Sequence, residues 1–146
     1  MTMNLIPGVE STGSALSAEK IRLEVIAQNI ANSNTTQDAS GKVYQRKEVA
    51  FEEFIKTPDR WRPGYVDENL YQGVRVVDVY DDQTPGRMIF NPGHPHANKD
   101  GMVEMPNVDV SREMIDLISA SRAYEANLSV VKTSRRMAQQ ALAIGR

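Results

Sequence analysis

The stretch VSREMIDLISASRAYEANLSVVKTSRRMAQQALAIGR, residues 110–146, holds more apolar helix surface than a chain of this size can cover alone. From Met114, steps of three and four residues lead through Leu117, Ser121, Tyr124, Leu128, Val131, Arg135, Ala138 and Leu142. A second ladder of the same kind runs through Ala120, Ala123, Asn127, Val130, Ser134, Met137, Ala141 and Ile144. Each has coiled-coil spacing, and the two lie about 100° apart around one helix. One seam needs one partner helix. Two seams need two, and the chain offers only one other long helix. The pattern therefore predicts a subunit that completes its core against other subunits.

That other helix is expected from Ser11 or Thr12 to about Asn32, with Ser11, Thr12 and Ser14 as candidate caps. Leu16, Leu23, Ile26 and Ile30 mark one apolar face, and Ala18, Ile21 and Val25 a second. The run Asn32-Ser33-Asn34-Thr35-Thr36 should end it, because short polar side chains compete for backbone hydrogen bonds. Between the helices, Val43–Phe51, Gly73–Tyr80, Arg87–Phe90 and Gly101–Met105 read as short strands. Turn residues separate them, and Lys99-Asp100-Gly101 before Met102 is a hairpin signal. The stretch 57–71, with Pro58, Trp61, Pro63 and Gly64, has no period and reads as a loop or insertion.

The expected fold is therefore α+β. Long N- and C-terminal helices form a coiled-coil-like base, with a small antiparallel β region between them. The expected divisions are an N-terminal helical segment 1–37, a central β region 38–106 and a C-terminal helical segment 107–146. The ladders also suggest how partners divide. The first, with Tyr124 and Leu128, is expected to seat the chain's own N-terminal helix. The second, richer in small residues, is expected to contact a neighbour. Tyr124 suits either a core aromatic or an anchor between subunits.

Composition narrows the function. The 146 residues carry a net charge of -2 with scattered Lys and Arg, unlike a nucleic-acid surface. Lys132, Arg135 and Arg136 read as a solvated helix end that suits the C-terminal dipole. The absence of cysteine rules out disulfides, thiol chemistry and Cys-zinc sites. No apolar run is long enough to span a membrane. The start Met-Thr-Met-Asn-Leu-Ile-Pro-Gly lacks a basic n-region and a long h-region, so no cleavable secretory signal is expected. Any export would use another route.

Candidate chemistry is sparse. His94-Pro95-His96 holds both histidines and would need a carboxylate such as Asp100 to bind a metal; a polar turn accounts for it as well. Residues 96–107 place His96 and Asn107 where a calcium loop needs its first acidic ligand and its bidentate Glu. Glu52-Glu53 and Asp81-Asp82 are adjacent, so in strands they would face opposite ways, which does not suit a shared acid–base task. No nucleophile elbow or phosphate loop occurs. Met102, Met105, Met114 and Met137 suit seam packing. No catalytic, cofactor or metal residue is assigned, and the chain is expected not to be an enzyme.

The segment from Ser14 through Val25-Ile-Ala-Gln-Asn-Ile-Ala-Asn-Ser-Asn-Thr-Thr36 resembles the N-terminal signature of bacterial flagellar rod, hook and hook-associated proteins. Ile118-Ser-Ala-Ser-Arg-Ala-Tyr-Glu-Ala-Asn127 resembles their C-terminal helix. Tyr44-Gln-Arg-Lys-Glu-Val-Ala-Phe51 and Asn91-Pro-Gly-His-Pro-His-Ala-Asn-Lys-Asp-Gly101, leading to Met105-Pro-Asn-Val-Asp109, look like the proximal rod proteins within that set. His96-Ala-Asn-Lys99 is less acidic than is common there, and 57–71 has no counterpart to carry over.

The resemblance implies a structural subunit of the flagellar drive shaft. Its terminal helices would pack into the inner tube of the rod, with the β region further out. Subunit contacts are expected at Leu16, Leu23, Ile26, Asn29, Ile30 and Asn32 on the first helix. On the second they are expected at Met114, Leu117, Ala120, Tyr124, Asn127, Leu128, Val131, Met137 and Leu142. Implied partners are copies of the chain, other rod proteins, the adaptor between rod and membrane ring, and the flagellar type III export apparatus. Neither nucleic acid nor a small-molecule substrate is expected, and no cofactor. The implied location is the basal body, where the rod crosses the periplasm, reached without a cleaved signal peptide. An isolated subunit, lacking these contacts, is expected to have largely disordered termini. Rival readings are another rod paralogue, a soluble helical adaptor and a peptidoglycan hydrolase.

Overall fold

The computed structural model describes residues 8–37, 41–56 and 71–144. The first helix, α1 (Gly8–Ala31), is 24 residues long and starts earlier than the hydroxyl-rich run suggested. Those hydroxyls do not cap it. Thr12 donates to the Gly8 carbonyl at 2.6 Å, Ser14 to that of Ser11 at 2.7 Å and Ser17 to that of Gly13 at 3.2 Å. Inside a helix, Ser and Thr bond back to the preceding turn in this way, so they mark the first turns rather than the boundary. The far end falls where expected. The Asn32 backbone and side chain both donate to the Gln28 carbonyl, and Thr35 donates to Asn32, which closes the helix in local turns.

The last helix, α2 (Val110–Ile144), is 35 residues long. Asp109 caps it, its Oδ1 accepting from the Ser111 amide at 3.0 Å and the Arg112 amide at 3.4 Å. Near the end of α1, Asn29 bonds Glu113 near the start of α2. Helices sharing a long contact from that point run antiparallel. At 1.5 Å per residue, α1 reaches to about residue 134 of α2, and roughly the last 15 Å of α2 runs past it. Both helices are formed and paired within one chain.

Four strands lie between the helices. β1 (Lys47–Lys56) and β2 (Tyr71–Asp81) pair antiparallel, from Lys47 opposite Asp81 to Lys56 opposite Tyr71. Val77 is an extra residue in this ladder, where the register shifts beyond Ala50 opposite Asp78. Cross-strand partners support the pairing: Arg75 with Glu52 at 2.7 Å, Lys47 with Asp81 at 3.0 Å and the Tyr80 hydroxyl with Glu48 at 2.8 Å. The ribbon lies along α1, β2 making the wider contact. The Val74 amide donates to Ser14 Oγ at 3.1 Å, and the Lys47 backbone meets Asn29. The spacing agrees, since Ser14 to Asn29 is about 22 Å of helix and Val74 to Asp81 about 23 Å of strand. Gly73 sits where a Cβ would lie 2.8 Å from both the Phe54 ring and Ser14 Oγ.

The second sheet is the expected hairpin, β3 (Met88–Phe90) with β4 (Met102–Glu104). Gly101 takes a φ of +72°, and Asn98 Oδ1 accepts from the amides of Asp100 and Met102, both at 2.9 Å. The strands begin and end within a few residues of the expected positions. β1 is displaced furthest, starting at Lys47 rather than Val43. Apart from Tyr71, the stretch 57–71 lies outside the described residues, as does the segment before Gly8.

Candidate functional site

The polar centre of the molecule joins α1, β1 and α2. Asn29 is 1% exposed and its amide makes four hydrogen bonds. Nδ2 donates to the Lys47 carbonyl at 2.9 Å and to Glu113 Oε2 at 3.0 Å. Oδ1 accepts from the Lys47 amide at 2.9 Å and the Tyr44 hydroxyl at 3.0 Å. The side chain thus replaces a neighbouring strand for Lys47. Asn107 does the same for Arg46, accepting from its amide at 2.7 Å while donating to the Asp82 carbonyl at 3.0 Å.

Glu113 is also 1% exposed, and Arg46 Nε donates to its Oε1 at 2.6 Å. Arg46 reaches Glu48 with Nη1 as well. Burial alone would lower the Arg46 guanidinium, but its bonds to Glu113 and Glu48 outweigh this and hold it above its ordinary value. Burial, with the charges of Asp81 and Glu113, pushes the Tyr44 phenol above 10.0. Every polar group at this junction has a partner, which is the condition for burying a charge.

The remaining candidates for chemistry are likewise occupied. His96 accepts or donates at Nδ1 to Thr36 Oγ1 at 2.8 Å, and the His96 amide donates to His94 Nδ1 at 3.2 Å. The two rings meet edge to face at 5.3 Å. Among the described residues, no group of three or more His, Cys, Asp or Glu converges as a metal site. Glu52 and Asp81 are cross-strand ion partners. Asp82 accepts from the Thr84 hydroxyl and amide, which lower its carboxyl below the usual value.

The open surface is helical and apolar. Among the described residues the buried apolar side chains are Ala18, Val25, Ile26, Val103, Val108 and Ala120. Large apolar side chains lie open along α2: Met114, Ile115, Ile118, Val130, Met137 and Leu142.

The line of α2 covered by α1 is neither of the two ladders. The more covered positions are Glu113, Asp116, Leu117, Ala120, Ser121, Ala123, Tyr124, Asn127, Leu128, Val131, Ser134 and Ala138, a band that takes members of both. It lies about midway between them, roughly 50° from each. The expected assignment of the first ladder to α1 and the second to a neighbour is therefore corrected. Ala120, of the second ladder, is fully buried within the chain. Open apolar side chains flank this band, Met114 and Ile118 on one side and Val130 and Met137 on the other.

The proposed contact residues separate accordingly. Ile26, Asn29 and Ala120 are buried inside the subunit. Leu16, Leu23, Ile30, Asn32, Leu117, Tyr124, Asn127, Leu128 and Val131 are half-buried. Met114, Met137 and Leu142 are open. Sequence reasoning missed Glu113, Arg46 and Asn107. Periodicity skips polar positions, and the one available signal was a glutamate at seam spacing from Leu117 and Ala120.

The chain matches two family models, Flagella basal body rod protein over residues 10–37 and Flagellar basal body rod FlgEFG protein C-terminal over residues 99–144. It is 40% identical to the flagellar basal-body rod protein FlgC of Yersinia enterocolitica, with 98% of this chain and 99% of that protein aligned. It is 39% identical to the FlgC of Borreliella burgdorferi over 97% and 98%. Against the FlgC of Bacillus subtilis identity is 33%, over 99% of this chain and all of the other.

Proposed function

The chain belongs to the FlgC family of flagellar basal-body rod proteins, and from that premise we propose how its geometry serves a rod. It is a structural subunit of the proximal rod, needed for flagellum-dependent motility. Torque passes mechanically through helices that share seams with neighbouring subunits, without a catalytic step. The single observation that carries this is the pair of open apolar strips on α2, one on each side of α1. Each large side chain buried there on assembly contributes roughly 1.5–3 kcal/mol.

Its partners in this reading are copies of itself, other rod proteins and the rod-to-membrane-ring adaptor, with the type III export apparatus as carrier. Among the described residues no helix is long and apolar enough to cross a membrane. The rod position within the periplasm and export without a cleaved signal follow from the family reading. A rod paralogue with similar ends is the second reading, favoured only by the FlgEFG-type match at the C-terminal end.

The test is complementation of a strain lacking this chain. Val130→Asp and Met137→Asp place a charge on an open strip without touching the polar junction. Both variants should give stable protein but no rod and no swimming, because burying an unpaired charge is costly. Arg122→Asp, on an exposed polar position, should swim. Normal swimming by both strip variants would contradict the reading.

A further inference from the structure

We propose that Glu113, held by Asn29 and Arg46, is a positioning residue that sets the rotation of α2 about its own axis. α2 offers α1 a ladder with Met114, Leu117, Tyr124 and Leu128 on one side, and another with Val130 and Met137 on the other. The line between them, through Leu117, Ala120, Tyr124 and Val131, is apolar too, so hydrophobic burial alone does not choose the rotation. α1 lies on that middle line, which also carries Glu113.

The junction supplies the reason. Asn29 is already fixed to β1 through the Lys47 amide and carbonyl, and Tyr44 holds the same oxygen. Arg46, fixed by Asn107 through its backbone, points its guanidinium at Glu113. A carboxylate 1% exposed must meet both partners. Turning α2 by about 50° toward either ladder would swing Glu113 off them and leave a buried charge unpaired. Fixing the orientation of a helix pair in this way is the best-attested use of a buried polar group. Centring α1 leaves Met114 of one ladder and Val130 and Met137 of the other open. That consequence for neighbours rests on the proposed assembly. The rotation concerns a single chain, and the experiment below reads it without a rod.

The absence of cysteine makes the test direct. Leu128→Cys and Ala123→Cys are single reporters on opposite edges of the covered seam, both half-buried. Thiol labelling rates are measured on the purified full chain in three backgrounds: unaltered, Asn29→Ala with Glu113→Ala, and Glu113→Gln. Arg46 keeps Glu48 as its partner when Glu113 is removed.

In the double alanine background α2 should turn toward its larger ladder. The Leu128→Cys reporter then becomes protected and the Ala123→Cys reporter freed, so the ratio of their rates changes by about tenfold in favour of Ala123→Cys. Glu113→Gln, which still reaches Asn29, should keep the unaltered ratio. A merely structural role would raise both rates together and leave the ratio unchanged. Should the double variant fail to fold, Glu113→Ala alone, with Asn29 still bonded to Lys47 and Tyr44, carries the same readout. An unchanged ratio in the folded variants would overturn the proposal.

Discussion

Asn29 was legible in sequence by its position but not by its partners. Its place in the Asn-Ile-Ala-Asn run suggested a contact between subunits. The amide instead spends all four of its hydrogen bonds inside the chain. At the same scale, Arg46→Met leaves Glu113 buried without its cation. We expect this to cost about 3–5 kcal/mol in urea unfolding, well above the cost of Glu113→Gln. Tyr44 gives a pH signature. Its folded pKa lies above 10.0, so its contribution is complete below that value and is lost as pH rises toward the folded pKa. Stability measured from about pH 9 to about pH 12 should fall, and Tyr44→Phe should fall less steeply; identical slopes would remove Tyr44 from the account. Tyr80, raised by its bond to Glu48, adds a slope of the same sign that persists in that variant.

At the scale of elements, the helices were the legible part. α1 carries two apolar faces, and it packs on α2 and on the β1–β2 ribbon. The hairpin of β3 and β4 was legible from Lys99-Asp100-Gly101, because a left-handed turn demands glycine. The seam between the helices was not. Apolar periodicity allows several neighbouring lines on α2, and a buried carboxylate, which such periodicity skips, lies on the one that α1 covers. Gly86 was passed over as one of several turn residues. A Cβ there would collide with the Met105 carbonyl, close to the Met105 amide bond to Arg87. Gly86→Ala should therefore destabilise the small hairpin by about 1–3 kcal/mol. Proteolysis near residues 87–105 would report it, with α2 unaffected.

The molecule as a whole is long, thinly cored and open. α1 protects α2 only to about residue 134. Hydrogen exchange of the isolated subunit should find the amides of residues 114–128 protected and those of 136–144 fast. Protection of the overhang would mean that it needs no neighbour. In this account assembly covers the pair of strips that flank α1.

A basal-body image resolving side chains on α2 tests that claim most directly. The account predicts helices of two different neighbouring subunits, one against Met114 and Ile118 and one against Val130 and Met137, with α1 between them. Strips that face solvent or bound lipid in the assembled rod, or a single neighbour covering only one of them, would contradict it.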